Sequence, residues 1–98
     1  MELYQAEWCP HSHRVRQRLT ELGLEFVAKQ VAVEPSERDE LRRAAGDDSI
    51  PVLVDGEHVV GGDENILAYL AERYQERADA AAHRAKARAE VPEFEELG

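Results

Sequence analysis

The hydrophobic and polar positions near the start of the chain follow first a strand pattern and then a helix pattern. Residues 3–6 alternate between apolar and polar side chains, as a short strand does. Val15, Leu19 and Leu22 then recur at helical spacing, and Gly23 supplies a helix end. The pattern therefore predicts a strand followed directly by a helix, with Cys9 at their junction.

The next part of the chain contains one strand signal and one helix signal. Residues 25–33 are rich in β-branched and aromatic side chains, which predicts a second strand, and its length favours a central position in the sheet. Pro35 and Ser36 open a second helix, with Ser36 as the N-cap, and this helix runs to Gly46. Its apolar face is thin, so we expect its charged side chains to be solvated: Glu37, Arg38, Glu40, Arg42 and Arg43.

A hairpin and a third helix follow. Residues 50–54 read as a strand with Pro51 at its start, where a missing N–H group is tolerated. Asp55-Gly56 is a strong two-residue turn signal and leads into an antiparallel strand over residues 57–60. Asp63 then caps a helix, and the apolar stripe of that helix is Ile66, Leu67, Leu70 and Tyr74.

The remaining residues form a tail with little to bury. Residues 75–90 are mostly alanine and charged residues, which favour a helix that is either a solvated extension or a separate helix docked weakly. Val91, Phe94 and Leu97 are candidates to anchor it. We therefore divide the chain into a domain over residues 1–74 and a helical tail over residues 75–98.

The order of the elements restricts the topology. A strand-helix-strand crossover within one sheet is right-handed and makes its two strands parallel, and the hairpin adds antiparallel strands. The order β-α-β-α-β-β-α therefore predicts one mixed four-stranded sheet with helices on both faces.

Charge and cysteine content narrow the class of function. The formal net charge is -9, which repels nucleic acids and anionic membranes, so we expect small molecules and proteins as partners. The single cysteine allows no internal disulfide. Residues 1–4 lack the pattern of a signal peptide, and no apolar run reaches the length of a membrane span. We expect a cytoplasmic monomer.

Reactive side chains concentrate between Trp8 and His13. Cys9 lies where a helix begins, and there the free backbone N–H groups and the helix dipole favour the thiolate, the nucleophilic form of a thiol. Pro10 suits the first helical position because its missing N–H group would have no partner there. The plainer alternative for Cys9 is a small buried hydrophobe.

The neighbours of Cys9 also have two interpretations each. Trp8 is either a core aromatic or a wall of the site. His11 and His13 are either solvated residues at the helix start, which we favour, or site residues, since His13 shares a helix face with Cys9. One thiolate with two histidines is too sparse for a closed zinc site, so we expect no bound metal.

Three separated motifs resemble those of the glutaredoxin family: Cys9-Pro10 after the first strand, Ile50-Pro51 at the third strand and Gly61-Gly62-Asp63-Glu64 at the third helix. The N-terminal domain of glutathione transferases is similar in the same way. The resemblance covers about residues 2–74 and implies a thioredoxin-like α/β fold with a four-stranded mixed sheet.

The resemblance also implies roles for particular residues. Cys9 would be the attacking thiolate, and Pro51 a cis proline that places the backbone of Ile50 against the cysteinyl unit of glutathione. An X-Pro bond is cis only about one time in twenty, so the residues alone would favour a trans Pro51. The γ-glutamyl carboxylate would bind the backbone N–H groups of Asp63 and Glu64, with the Glu64 side chain at the ligand's amino group.

From the residues alone, Asp63 and Glu64 are simply a cap and a favourable charge in the first turn. The resemblance predicts a larger set of substrate-binding residues around Cys9: Trp8, Pro10, His11, Ser12, Ser49, Ile50, Pro51, Gly62, Asp63 and Glu64.

The sequence departs from the family pattern at two places. The family site reads Cys-Pro-x-Cys or Cys-Gly-x-Ser, whereas this chain has Cys9-Pro10-His11-Ser12 and therefore lacks a resolving cysteine. The family often carries a lysine shortly before the cysteine, and residues 5–7 here are Gln, Ala and Glu. Arg14 and Arg16 are candidates to replace part of that charge. We expect glutathione or another γ-glutamyl thiol as co-substrate, with no cofactor bound.

Three functions agree with these residues. The leading one is a monothiol thiol-disulfide oxidoreductase that acts on disulfide-containing proteins and small molecules through Cys9. The second is an iron-sulfur cluster carrier, in which Cys9 and a bound thiol from each of two protomers hold the cluster, although Pro10 stands where such carriers usually have glycine. The third is a thiol-binding module similar to half of a glutathione transferase, for which we expect no activity with an electrophile.

Overall fold

The computed structural model describes the backbone of residues 1–97 and the side chains of residues 1–88. Its elements follow the predicted order, with one short 3₁₀ turn at Pro35–Glu37 before the second helix. The strands are β1 (Glu2–Gln5), β2 (Val27–Gln30), β3 (Val52–Asp55) and β4 (His58–Gly61). The helices are α1 (Pro10–Glu21), α2 (Asp39–Ala45), α3 (Asp63–Arg73) and α4 (Ala80–Leu97).

The four strands of the described chain form one mixed sheet in the order β2-β1-β3-β4. β1 and β2 are parallel, β3 is antiparallel to β1, and β4 is antiparallel to β3. The predicted mixed sheet is confirmed, and the fold is the thioredoxin-like α/β fold.

The central position predicted for β2 is wrong, because β2 is an edge strand and three of its four residues are exposed. The strand is also shorter than predicted. Val31 still donates to the carbonyl of Gln5, but the carbonyls of Ala32 and Val33 accept from Arg38 instead of from a neighbouring strand. The chain therefore leaves the sheet at this point.

Helices cover both faces of the sheet, as predicted. Successive strand side chains point to opposite faces, so Leu3 and Leu53 face α1 and α3, whereas Tyr4 and Val52 face α2. The first core is fully buried and consists mainly of Leu3, Val15, Leu19, Leu53, Ile66 and Leu70. The second core is smaller and contains Tyr4, Leu41 and Val52.

The start of α2 differs from the prediction. Residues 35–37 form a separate 3₁₀ turn, and α2 begins at Asp39 with Arg38, not Ser36, at the N-cap position. Arg38 was predicted to be solvated but is only 7% exposed. Its side chain folds back onto the carbonyls of the preceding loop, and this contact separates the turn from the helix.

The turn of the hairpin and the start of α3 each lie one residue away from the predicted position. Asp55 pairs with His58, so Gly56 and Glu57 form the turn, and Gly56 has a φ of 62°, in the left-handed region that glycine adopts readily. Gly62, not Asp63, is the N-cap residue of α3. The Asp63 carboxylate does not cap the helix because it accepts hydrogen bonds from His11 and Arg14.

The tail is a separate helix docked on α1, which was one of the two predicted alternatives. The Glu21 side chain is only 7% exposed and accepts from Arg18 at 2.8 Å and Arg84 at 3.4 Å. The Arg77 amide donates to the Glu21 carbonyl at 3.2 Å. The predicted anchors Val91, Phe94 and Leu97 lie outside the described side chains. Within the described residues, no helix is both long and apolar enough to cross a membrane.

Candidate active site

The sheet topology brings three chain segments to one end of the molecule. β1 and β3 are antiparallel with Tyr4 opposite Val52, and Val52 is opposite Gly61 in β4. The segment after β1, the segment before β3 and the segment after β4 therefore meet. They carry Cys9, Pro51 and Asp63, so the fold brings the three predicted motifs together.

Cys9 is the N-cap residue of α1. Its backbone is extended, with φ -82° and ψ 118°, and its Sγ accepts from the Ser12 amide at 3.4 Å. A thiol sulfur thus takes the place that a serine or aspartate oxygen usually holds at a helix start. Pro10 is the first residue of α1, as predicted. The thiol is largely buried, with 7% of Cys9 exposed.

The pKa of the Cys9 thiol lies below its ordinary value as the result of opposing effects. Burial raises it most, but hydrogen bonds from the Ser12 hydroxyl and from the Ser12 and His11 amides together outweigh burial. The charge of Asp63 raises the pKa slightly. Because the thiolate is the nucleophilic form of cysteine, the arrangement favours a reactive Cys9 over an inert buried hydrophobe.

Ser12 lies beneath Cys9 and is completely buried. Its Oγ accepts from the Ala6 amide at 3.4 Å. Because the Ser12 oxygen accepts this bond, its hydroxyl hydrogen remains free to be donated to the Cys9 sulfur. That hydrogen bond contributes to the lowered pKa of Cys9. The resemblance places Ser12 among the substrate-binding residues. The hydrogen bonds described for it here are with Ala6 and Cys9, and its role toward a substrate stays a prediction.

Asp63 joins the start of α3 to α1. Its carboxylate accepts from His11 Nδ1 at 3.0 Å and from Arg14 at 2.8 Å, and only 14% of the side chain is exposed. The hydrogen bond from His11 is the main reason why the pKa of Asp63 lies below its ordinary value, and the Glu64 amide also contributes. His11 is exposed, as the favoured interpretation predicted, but its ring is fixed by this contact.

Arg14 and Arg16, the candidates to replace the missing lysine, are both hydrogen-bonded to other groups. Arg14 is bound to Asp63, and Arg16 donates to the side chains of Gln5 and Glu7 and to the carbonyl of Ala6. Neither arginine is among the main causes of the lowered pKa of Cys9. Gln5, which accepts from Arg16, is buried.

Three other residues considered for the site are more exposed to solvent than Cys9. Trp8 is 62% exposed, which excludes a core role and leaves it at the rim beside Cys9. His13 is also exposed. Glu64 is exposed in the first turn of α3 and forms no ion pair within the described residues. The roles of Trp8 and Glu64 toward a ligand stay predictions.

The loop before β3 presents an unpaired stretch of backbone. The Ile50-Pro51 peptide bond is cis, as the resemblance implies. The Pro51 carbonyl accepts from the Gly62 amide at 2.9 Å. Ile50 is half-buried, and its N–H and C=O groups form no hydrogen bond within the described residues. A ligand with its own amide groups could pair with them.

A cavity of about 370 Å³ adjoins this loop. Its walls include Ser49 and Gly62, two of the predicted binding residues, and its other lining residues are Ala45, Asp47, Val52, Val59 and Gly61. A larger cavity of about 650 Å³ lies beside Met1 and Phe26, at the opposite end of the sheet, and no nucleophile lines it. We place the site at Cys9, next to the smaller cavity, because Ser49 and Gly62 belong to two of the segments that meet there; Cys9 itself does not line the cavity.

Several contacts that hold this site could not be predicted from local sequence patterns. The unusual position of Arg38 does carry a signal. The helix dipole disfavours a cation near a helix N-terminus, so the guanidinium of Arg38 is expected to donate to nearby acceptors. The bonds between Ser12 and Ala6 and between Asp63 and Arg14 had no such signal. Among the described residues, no group of three or more His, Cys, Asp or Glu side chains is placed to hold a metal ion.

Fold and site together define a thioredoxin-like protein with a single thiol at the start of its first helix. The glutaredoxin family model matches residues 1–59, and the chain belongs to the glutaredoxin family. A glutaredoxin of Pseudomonas aeruginosa is 35% identical over 66 residues, which are 67% of this chain and 79% of that protein. Membership of this family supports thiol-disulfide oxidoreductase chemistry.

The solved structures that are similar to this chain include glutathione transferases. Glutathione S-transferase 1-6 of Anopheles dirus species B shares 32% identity at a TM-score of 0.70, and the match covers 81% of this chain and 38% of that one. Rice GST1, solved in complex with glutathione, shares 30% identity at a TM-score of 0.69 over 89% of this chain and 43% of that one. The chain therefore spans less than half the length of either transferase.

Proposed function

We propose that the chain is a monothiol glutaredoxin that reduces mixed disulfides through Cys9, with glutathione or another γ-glutamyl thiol as co-substrate. The observation that carries the proposal is the environment of Cys9. Its sulfur accepts a hydrogen bond at the start of α1, its pKa is lowered, and the residue three positions later is a serine that cannot form a disulfide with it.

The reaction requires one protein thiol and two steps. The Cys9 thiolate attacks the glutathione-side sulfur of a mixed disulfide, the disulfide bond breaks, and the target leaves as a thiolate that takes a proton from water. A second glutathione thiolate then attacks the glutathione sulfur of the Cys9 adduct. This step releases oxidised glutathione and restores the Cys9 thiolate.

The glutathionyl unit of the mixed disulfide would bind along the groove beside Cys9. The free N–H and C=O groups of Ile50 support pairing with the cysteinyl unit, next to Ser49 and Pro51. The γ-glutamyl carboxylate would bind the first amides of α3, which follow Gly62 and have no partner within the helix. Trp8, Pro10 and His11 would line the opposite side of the groove, with the Glu64 side chain at the ligand's amino group.

The wider setting is part of the same proposal. We place the protein in the cytoplasm, where thiols stay reduced, as a monomer that acts on disulfide-containing proteins. We assign the activity to residues 1–74 and treat residues 75–98 as an attached helical tail.

The direct test is reduction of a glutathionylated peptide, with glutathione and a regenerating reductase. Wild type should turn over, and Cys9→Ser should lose all turnover while its circular dichroism spectrum is unchanged. His13→Ala, which alters an exposed neighbour on α1, should retain the activity. Turnover that persists in Cys9→Ser would show that Cys9 is not the nucleophile.

A second candidate is a glutathione-binding module without turnover, and the similarity to the two transferases favours it. The two candidates differ in one measurable respect. If calorimetry shows that wild type binds glutathione while the peptide assay detects no reduction, the second candidate replaces the first.

A further inference from the structure

Arg38 is a buried cation without a described counter-ion. It is only 7% exposed, and no carboxylate of the described residues forms an ion pair with it. Its guanidinium donates instead to three backbone carbonyls, those of Ala32 at 2.8 Å, Val33 at 3.2 Å and Asp48 at 2.8 Å. Burying a charge is costly unless hydrogen bonds satisfy it, and these three bonds use the planar fork of donors that arginine has and lysine lacks.

These bonds join two loops that are far apart in sequence. Ala32 and Val33 follow the end of β2, whereas Asp48 belongs to the loop that leads into β3. The Asp48 carbonyl lies in the same rigid peptide plane as the Ser49 amide, so its bond to Arg38 fixes the start of the segment 48–51. The bond from the Gly62 amide to the Pro51 carbonyl fixes the other end.

Ile50 lies between these two fixed ends, and its backbone groups are unpaired in the described structure. A short segment held at both ends presents its free N–H and C=O groups in one orientation. Ligand binding then requires little further ordering of this backbone, and avoiding such ordering improves affinity.

We propose that Arg38 is a positioning residue that holds the Asp48–Ser49 peptide so that the backbone of Ile50 can pair with the glutathionyl unit of the mixed disulfide. This inference rests on the proposed function. Arg38 touches neither the ligand nor Cys9 in this account, and it acts only through the loop. Its loss should therefore weaken binding of the glutathionyl unit and leave the chemistry of Cys9 unchanged.

The test compares Arg38→Met with two matched variants from the same helix region. Arg42→Met removes the contact to the Asp48 carboxylate at 3.3 Å but keeps the bond from Arg38 to the Asp48 carbonyl, and Arg43→Met alters an exposed arginine. In Arg38→Met the KM for the glutathionylated peptide should rise about five- to twentyfold, while kcat at saturating peptide and glutathione stays within about twofold. Arg38→Lys should be intermediate, since an ammonium group lacks the planar fork.

The alkylation rate of Cys9 and its pH profile should be the same in wild type and Arg38→Met. An unchanged KM in folded Arg38→Met, or an equal rise in Arg43→Met, would overturn the proposal. If Arg38→Met does not fold, the comparison of Arg38→Lys with wild type decides by the same criteria.

A second measurement separates this proposal from the proposed function. The amide NMR signals of Ser49 and Ile50 should shift and broaden in Arg38→Met or Arg38→Lys, whether or not the wild type turns over glutathione. An inactive wild type would remove the proposed function, whereas unchanged Ser49 and Ile50 signals in both variants would remove the role of Arg38.

Discussion

At the scale of single residues, the reactivity of Cys9 depends on Ser12. Burial opposes the thiolate, and the hydrogen bonds from Ser12 and from the amide of His11 outweigh burial. A serine at this position therefore has two consequences. It removes the internal thiol that could resolve an adduct, and it supplies a hydroxyl that stabilises the thiolate.

Ser12→Ala should make Cys9 less reactive by removing the hydroxyl. The folded-state pKa of Cys9 is lowered, and loss of a stabilising bond must move it upward, so the midpoint of alkylation against pH should shift to higher pH. Below that midpoint, the alkylation rate should fall roughly three- to tenfold, as expected for the loss of one hydrogen bond of typical net strength. The control is His13→Ala, which leaves the bonds to Cys9 intact, and an unshifted midpoint in Ser12→Ala would contradict this role.

At the scale of elements, charged groups link α1 to the described part of the tail. Arg18 donates to Glu21 at 2.8 Å and to Glu76 at 2.5 Å, and Arg84 reaches the same two carboxylates. Ala80 is buried at the start of α4. The docking of α4 should therefore depend on pH.

The hydrogen bond from Arg18 lowers the pKa of Glu76 below its ordinary value of 4.5. A lowered folded-state pKa means that Glu76 stabilises the docked helix at neutral pH and that this contribution is lost as the pH falls below 4.5. Hydrogen-exchange protection factors of residues 80–88 should drop over that range in wild type. In Glu76→Gln these protection factors should be lower at neutral pH and should change less as the pH falls. Equal pH dependence in wild type and Glu76→Gln would contradict this role of Glu76.

The elements also show what the sequence can predict. Periodicity gave the strands, the helices and the mixed sheet, because burial of one face imposes a spacing of two or about 3.6 residues. It failed for the position of β2, which is set by the strand order of the whole sheet, and for the start of α2, where the Arg38 side chain binds carbonyls from two loops. The pairing of Asp63 with His11 and Arg14 is likewise a contact over about fifty residues that no local pattern encodes.

At the scale of the whole molecule, the fold serves to bring three segments to one end of the sheet. The motifs at Cys9, Pro51 and Asp63 could be recognised in the sequence, and the topology explains why they belong together. Their separation along the chain is large, but strand pairing places the segments that carry them side by side. Cys9 is the only cysteine of the chain, and the central proposal is that it carries a thiol adduct that it cannot resolve alone.

Intact-protein mass after mixing with oxidised glutathione tests this claim most directly. Wild type should gain one glutathionyl unit and keep it until free thiol is added, and Cys9→Ser should gain none. In Ser12→Cys the new thiol lies in the first turn of α1, where intramolecular attack competes well with external thiol, so the adduct should be replaced by an internal disulfide. A wild type that gains no adduct, or a Ser12→Cys variant that keeps one as stably as wild type, would contradict the account.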